Sequence, residues 1–150
     1  MTNTNERTTI RPLMETATRF FGKTYDETMS LLLASRDYLA AAQPGDAIGL
    51  KPIDRLRVNC EAMRLTTRLT QIMAWLLAQR AVFAGEIGRA QAASDEFRLS
   101  ADSVCMAEGD DMAANVLPMR LRELLEESRR LYVRVARLDE LSRRAAAEGA

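Results

Sequence analysis

A long stretch without any helix-breaking residue, residues 53–84, constrains the fold of this chain more than any other feature. Apolar residues recur along it at helical spacing, so the sequence predicts one uninterrupted helix of about thirty residues that starts near Pro52 and ends before Gly85. The apolar residues form two stripes on largely different sides of the helix. We therefore expect burial on more than one face, either inside one bundle or between the bundle and a second subunit. The first stripe is Leu56, Cys60, Met63, Thr67, Thr70, Ala74 and Leu77, and the second is Leu65, Leu69, Ile72, Leu76 and Phe83.

The segment before this helix is also predicted to be helical. Helical spacing of apolar residues begins near Pro12, a residue that suits the first turn of a helix. Gly22 interrupts the pattern, and Thr24 with Glu27 has the spacing of a capping box, in which each side chain bonds the backbone at the other end of the first turn. Residues 13–42 therefore form either one bent helix or two.

A third long helix is predicted from Pro118 to about Ala147, with arginines accumulating towards its end. Three long helices with antiparallel neighbours make a bundle. The predicted fold class is therefore all-α: a three-helix bundle with a short N-terminal helical segment, in one domain that covers residues 1–150. We expect residues 1–11 to be flexible and residues 143–150 to be frayed. The core face of the third helix is predicted to contain Leu121, Leu124, Leu125, Ser128, Leu131, Tyr132, Val135, Leu138 and Ser142.

The connection between the second and third helices is long, acidic and punctuated by glycines. Connections of this length inside a compact domain are often functional. The segment either balances the arginines of the third helix within the molecule or docks on a partner and becomes ordered there. Its acidic residues, which are candidates for partner binding, are Asp95, Glu96, Asp102, Glu108, Asp110 and Asp111.

The residue types that most enzymes use are largely missing from this chain. It contains no histidine, which removes the commonest general base and the commonest metal ligand. Its two cysteines, Cys60 and Cys105, lack the spacing of metal ligands, and no glycine-rich phosphate loop follows a strand. The sequence therefore predicts a protein that is not an enzyme, with no catalytic residue, no metal and no cofactor.

Charge and hydropathy limit the surroundings in which the chain works. The 21 basic residues are balanced by 21 acidic residues, so a non-specific nucleic-acid binder is not expected. The first twelve residues are polar, without the apolar core of a secretory signal. No apolar run approaches the roughly 18 residues that a membrane span needs. We expect a cytoplasmic protein without a membrane span.

Protein binding is the function that the remaining features favour. Arg57, Arg64 and Arg68 lie along one side of the second helix, with Glu61 between them as their expected solvated partner. These arginines form either a charged surface stripe or an anchor for an acidic partner. Trp75 is either a core residue or the centre of a subunit interface. Cys60 is expected on a buried face. The candidate residues of a dimer interface are Leu65, Leu69, Ile72, Trp75 and Leu76.

Four segments together give a resemblance to a known family. They are CEAMRLTTRLTQIMAWLLAQRAV at residues 60–82, the segment of residues 24–39 that ends in ASRDYL, the Gly85-Glu86 turn, and LRELLEESRRLY at residues 121–132. In order and spacing they resemble the alphaproteobacterial regulators of CtrA degradation. The resemblance implies a three-helix bundle that forms a homodimer and has no catalytic residues.

The same resemblance implies a biological role. Members of this family are adaptors that deliver cell-cycle regulatory proteins to the ClpXP protease, often at a cell pole. They work with a primed protease and accessory factors that include a response regulator and a cyclic-di-GMP-binding partner. The alternative is a structural or regulatory interaction protein of the same fold that has no role in proteolysis.

Overall fold

Three long helices account for most of the residues that the computed structural model describes, which are residues 4–42, 49–99 and 115–149. The elements are α1 (Thr4–Ala42), α2 (Pro52–Phe83), the one-turn helix α3 (Arg89–Ala92), a 3₁₀ turn (Asp95–Phe97) and α4 (Met119–Glu148). The described residues include no strand, and α1, α2 and α4 all pack against one another. The predicted all-α class with three long helices is confirmed.

The first helix differs from the prediction in two respects. It is one continuous helix through Gly22, and it begins at Thr4 instead of near Pro12. Thr24 is not a cap, because it lies inside the helix and its hydroxyl donates a hydrogen bond to the Phe20 carbonyl oxygen at 3.0 Å. Glu27 instead forms an ion pair with Arg134 of α4. The flexibility expected at residues 1–11 and the fraying expected at 143–150 concern motion and stay predictions.

The second helix ends as its sequence predicts, at a glycine that leaves the helical conformation. Gly85 has a φ of +75°, which is unfavourable for residues with a Cβ atom. The amide of Gly85 bonds the Val82 carbonyl at 3.0 Å, and the amide of Glu86 bonds the Ala81 carbonyl at 2.9 Å. These two bonds are the Schellman pattern, which satisfies the last carbonyls of α2 and turns the chain towards α3.

The core lies between the three long helices. The second apolar stripe of α2 supplies its centre, and an aromatic group closes one end, with the Phe21 ring 5.7 Å from Trp75 and 5.2 Å from Phe83 between centroids. Phe83 is the one member of that stripe that stays exposed. The buried apolar residues that pack together are Leu31, Leu65, Leu69, Ile72, Trp75, Leu76, Leu99, Leu121, Leu124, Leu131, Tyr132 and Val135.

One buried carboxylate joins three parts of the fold. Asp139 of α4 accepts a hydrogen bond from the Trp75 indole nitrogen of α2 at 2.9 Å and from the Leu99 backbone nitrogen at 3.3 Å. The Arg143 guanidinium pairs with the same carboxylate at 3.1 Å and also donates to the Ser94 carbonyl at 3.1 Å. These contacts hold the chain after α3 against the end of the bundle.

Replacing Gly22 with Ala should raise the free energy of unfolding by about 0.5–1 kcal/mol, because alanine favours helix and loses less backbone entropy on folding. A Cβ atom there meets nothing within 4 Å. Gly85→Ala is the matched control and should be destabilising by roughly 1 kcal/mol, because of its positive φ. Urea unfolding followed by circular dichroism measures both. A Gly22→Ala variant less stable than the parent would contradict a continuous α1.

Replacing Asp139 with Ala should lower the free energy of unfolding by about 3–5 kcal/mol, because it leaves the largely buried guanidinium of Arg143 without its carboxylate. The Trp75 indole and the Leu99 amide also lose their acceptor. Glu140→Ala is the control, since Glu140 is exposed and pairs with exposed Arg144, and it should cost less than about 1 kcal/mol. Equal losses in the two variants would show that the Asp139 contacts do not hold the bundle together.

Candidate functional site

The face of α2 that turns away from the core carries an exposed row of small and apolar side chains, which we call the α2 seam. It includes the whole first stripe predicted from the sequence and extends it by one position. Leu56 is 57% exposed, Met63 is 70% exposed and Leu77 is 48% exposed, and no member is charged. The seam consists of Ile53, Leu56, Cys60, Met63, Thr67, Thr70, Ala74 and Leu77.

The spacing of the α2 seam is that of a coiled-coil contact. Its members alternate at spacings of three and four residues throughout, which is the seven-residue repeat that two supercoiled helices share. The seam spans roughly 36 Å at 1.5 Å per residue. The Thr70 hydroxyl donates to the Thr66 carbonyl of the same helix at 2.8 Å, so it does not need a polar partner elsewhere. The face is thus long and uncharged.

A groove borders the α2 seam where the end of α1 passes beside α2. It has a volume of about 500 Å³ and is lined by Leu39, Asn59, Ala62, Met63, Thr66 and Thr67. Met63 and Thr67 belong to both the groove and the seam. The groove adds to the surface that a helix lying along α2 would contact.

The five residues predicted for a dimer interface lie elsewhere. Leu65, Leu69, Ile72, Trp75 and Leu76 are at most 4% exposed, because α1 and α4 already cover that side of α2. They are the core of a single chain, so the predicted interface is wrong for these residues. The expectation for Cys60 is also wrong, since it is exposed on the seam.

The arginines predicted to anchor a partner do not form one surface. Arg57 pairs with Asp54 at 3.1 Å, and Arg64 pairs with Glu61. Glu61 is nearly buried, not solvated as expected. These two pairs lie beside the α2 seam and have their charges matched.

The third arginine of the predicted set, Arg68, is 3% exposed and is a core contact between α2 and α4. It donates to the Leu125 carbonyl at 2.9 Å and to the Ser128 hydroxyl at 2.8 Å. Burial of this guanidinium is possible because these oxygens replace part of its hydration. Arg68 is therefore not part of the exposed surface of α2.

The acidic residues predicted for partner binding are placed only in part. Asp95 and Glu96 lie exposed on the 3₁₀ turn that follows α3. Asp102, Glu108, Asp110 and Asp111 lie outside the described residues. Their role in docking stays a prediction.

Asp139 and Arg143 are the important polar residues that the sequence interpretation missed. The sequence pattern placed Leu138 and Ser142 on the core face of α4, and each of them is one position before Asp139 or Arg143. In the structure Asp139 is buried, whereas Leu138 and Ser142 are only half-buried. A signal was present, because a buried tryptophan needs an acceptor for its indole N–H. An acid four residues before an arginine on the same helix face supplies that acceptor with its charge paired.

The described residues contain no group of three or more histidine, cysteine or carboxylate side chains positioned to hold a metal ion. None of the described helices combines the length and hydropathy required to cross a membrane. The candidate site that the described residues present is the exposed face of α2.

Comparison with known proteins shows two similarities. Residues 14–150 match the family described as "Protein of unknown function (DUF1465)". The fold is similar to the crystal structure of RcdA from Caulobacter crescentus CB15, with 37% sequence identity and a TM-score of 0.61 over 81% of this chain and 89% of that chain. No curated protein matches the chain. The predicted resemblance is confirmed.

Proposed function

Because the chain belongs to the DUF1465 family, which contains RcdA-like proteins, we propose that it is a non-enzymatic adaptor in regulated proteolysis. The observation that carries this proposal is the 37% identity with RcdA over most of both chains. The long uncharged α2 seam agrees with it, since such a surface suits protein binding. The adaptor works in the cytoplasm and is recruited to a cell pole.

In its finer form, the proposal is that the protein helps deliver cell-cycle regulatory proteins to the ClpXP protease. Cargo proteins and accessory regulators of the protease are then its partners. The support for this step is the family resemblance. The alternative is an interaction module of the same fold that acts outside proteolysis.

The adaptor is proposed to be a homodimer through the α2 seam. Two copies of the seam have the alternating three- and four-residue spacing that interlocks side chains in a coiled coil. Arg57 and Arg64, beside the seam, already pair with acids of their own chain, so two copies meet without uncompensated charge along this edge. This interface replaces the one predicted around Trp75.

Replacing Met63 with Glu should convert the dimer to a folded monomer, because it introduces a charge into the centre of the uncharged seam. Met119→Glu is the matched control, since Met119 is equally exposed but lies at the start of α4, and it should leave the dimer intact. Sedimentation gives the mass and circular dichroism the helix content. A wild-type protein that is monomeric at high concentration, or a dimeric Met63→Glu variant, would rule out the seam as the interface.

The adaptor role is tested in a reconstituted ClpXP degradation assay that contains the accessory factors. Adding the purified protein should accelerate loss of a cell-cycle cargo, because the adaptor raises the local concentration of cargo at the protease. Degradation of a cargo that ClpXP recognises unaided is the control and should not change. No acceleration across a panel of plausible cargoes, with no protease component in a native pull-down, would favour the interaction module instead.

A further inference from the structure

A second surface lies on α4, and unlike the α2 seam it carries charged residues. It is an open groove of about 580 Å³ between α4 and the extended backbone at Arg98 and Leu99, and we call it the α4 groove. Its apolar lining is formed by Leu99, Tyr132, Val133, Ala136 and Leu141. Arg98, Arg137, Glu140 and Arg144 stand around this lining.

The charges around the α4 groove are not balanced. Arg144 pairs with Glu140 at 2.9 Å, and Asp139 is already engaged by Arg143 and Trp75. Within the described parts of the chain, the side chains of Arg98 and Arg137 make no hydrogen bond or ion pair, and both are exposed. The groove therefore presents two guanidinium groups whose donors face solvent.

The apolar part of the α4 groove is also incompletely covered. Leu141 is 60% exposed, whereas Leu99 in the lining of the same groove is buried. The groove residues of α4 run from Tyr132 to Arg144, which is roughly 18 Å at 1.5 Å per residue. This length accommodates about three turns of a docked helix.

We propose that the α4 groove binds an acidic segment of another protein whose apolar side chains lie on one face. The apolar face contacts Leu141 and the adjoining lining, and carboxylates on its edges pair with Arg98 and Arg137. Guanidinium groups suit this role because their planar donors pair with carboxylates bidentately. An amphipathic helix in an apolar groove is a common mode of peptide recognition.

A nucleic-acid partner fits this surface less well than an acidic peptide. A phosphate backbone requires many cationic contacts, whereas Glu140 neutralises one of the three arginines here. The exposed Leu141 side chain offers nothing to a phosphate. The inference rests on the proposed function only in requiring a protein partner, either a cargo or an accessory factor.

The test uses a fluorescein-labelled synthetic helical peptide with leucines on one face and glutamates on its flanks. Its binding to the full chain is followed by fluorescence anisotropy. Arg98→Ser and Arg137→Ser should each weaken binding by about three- to tenfold through loss of one ion pair. Leu141→Ser should also weaken peptide binding, whereas the conservative Leu141→Met variant should bind the peptide as tightly as the parent protein. Arg122→Ser is the matched control, because Arg122 is an exposed arginine of α4 outside the groove.

Failure to bind the acidic peptide would overturn the proposal, as would binding that is unchanged in an Arg98→Ser/Arg137→Ser double variant. Equal binding of a peptide with lysines replacing its glutamates, or tighter binding of a single-stranded oligonucleotide, would also overturn it. Circular dichroism confirms that each variant is folded. The degradation assay separates the two proposals, since acceleration by the double variant would leave the adaptor role in place and remove the groove from it.

Discussion

The Asp139 carboxylate is the interaction on which the arrangement of this bundle depends most. It bonds Trp75 on α2, the backbone of Leu99 in the connection, and Arg143 on its own helix. Apolar packing alone is non-directional and allows one helix to slide along another. A charged hydrogen-bond acceptor with fixed partners does not allow sliding, because any shift leaves a buried donor unsatisfied. The same contacts bring Leu99 against α4, so the α4 groove exists because this carboxylate holds one of its walls in place.

The second constraint is that α2 has more apolar surface than its two long neighbours cover. Burying the face that contains Trp75 places the other stripe in solvent, since the two lie on different sides of one helix. Scattered exposed apolar residues need no explanation in a soluble protein, but an ordered row with a 3.5-residue repeat does. Because no member of the α2 seam is charged, covering the seam at an interface removes little hydration.

The sequence predicted where the helices lie along the chain, but it only partly predicted which face of each helix is buried. The absence of Gly and Pro from residues 53–84, between Pro52 and Gly85, sufficed to predict the bounds of α2. The sequence did not show which of the two apolar stripes of α2 is buried in the core, because periodicity places residues on a face without identifying the neighbour that covers it. Arg68 shows the same limit: its spacing with Arg64 suggested a surface, yet the Leu125 and Ser128 oxygens of α4 make its burial favourable. Such partners, sixty residues away, have no signal in a local pattern.

The two proposed surfaces differ in chemistry and share no residue, and this separation has a consequence for binding. The proposed pairing through the α2 seam uses no residue of the α4 groove, so a dimer of this kind would offer two equivalent grooves. When a partner carries two acidic segments, its second contact becomes intramolecular, and the overall affinity exceeds that of one groove by a factor set by the linker between the segments. Two weak contacts then give tight overall binding of the partner, and the partner is still released quickly because each segment dissociates separately. An adaptor needs that combination, since it must hold a cargo long enough to be engaged and then release it.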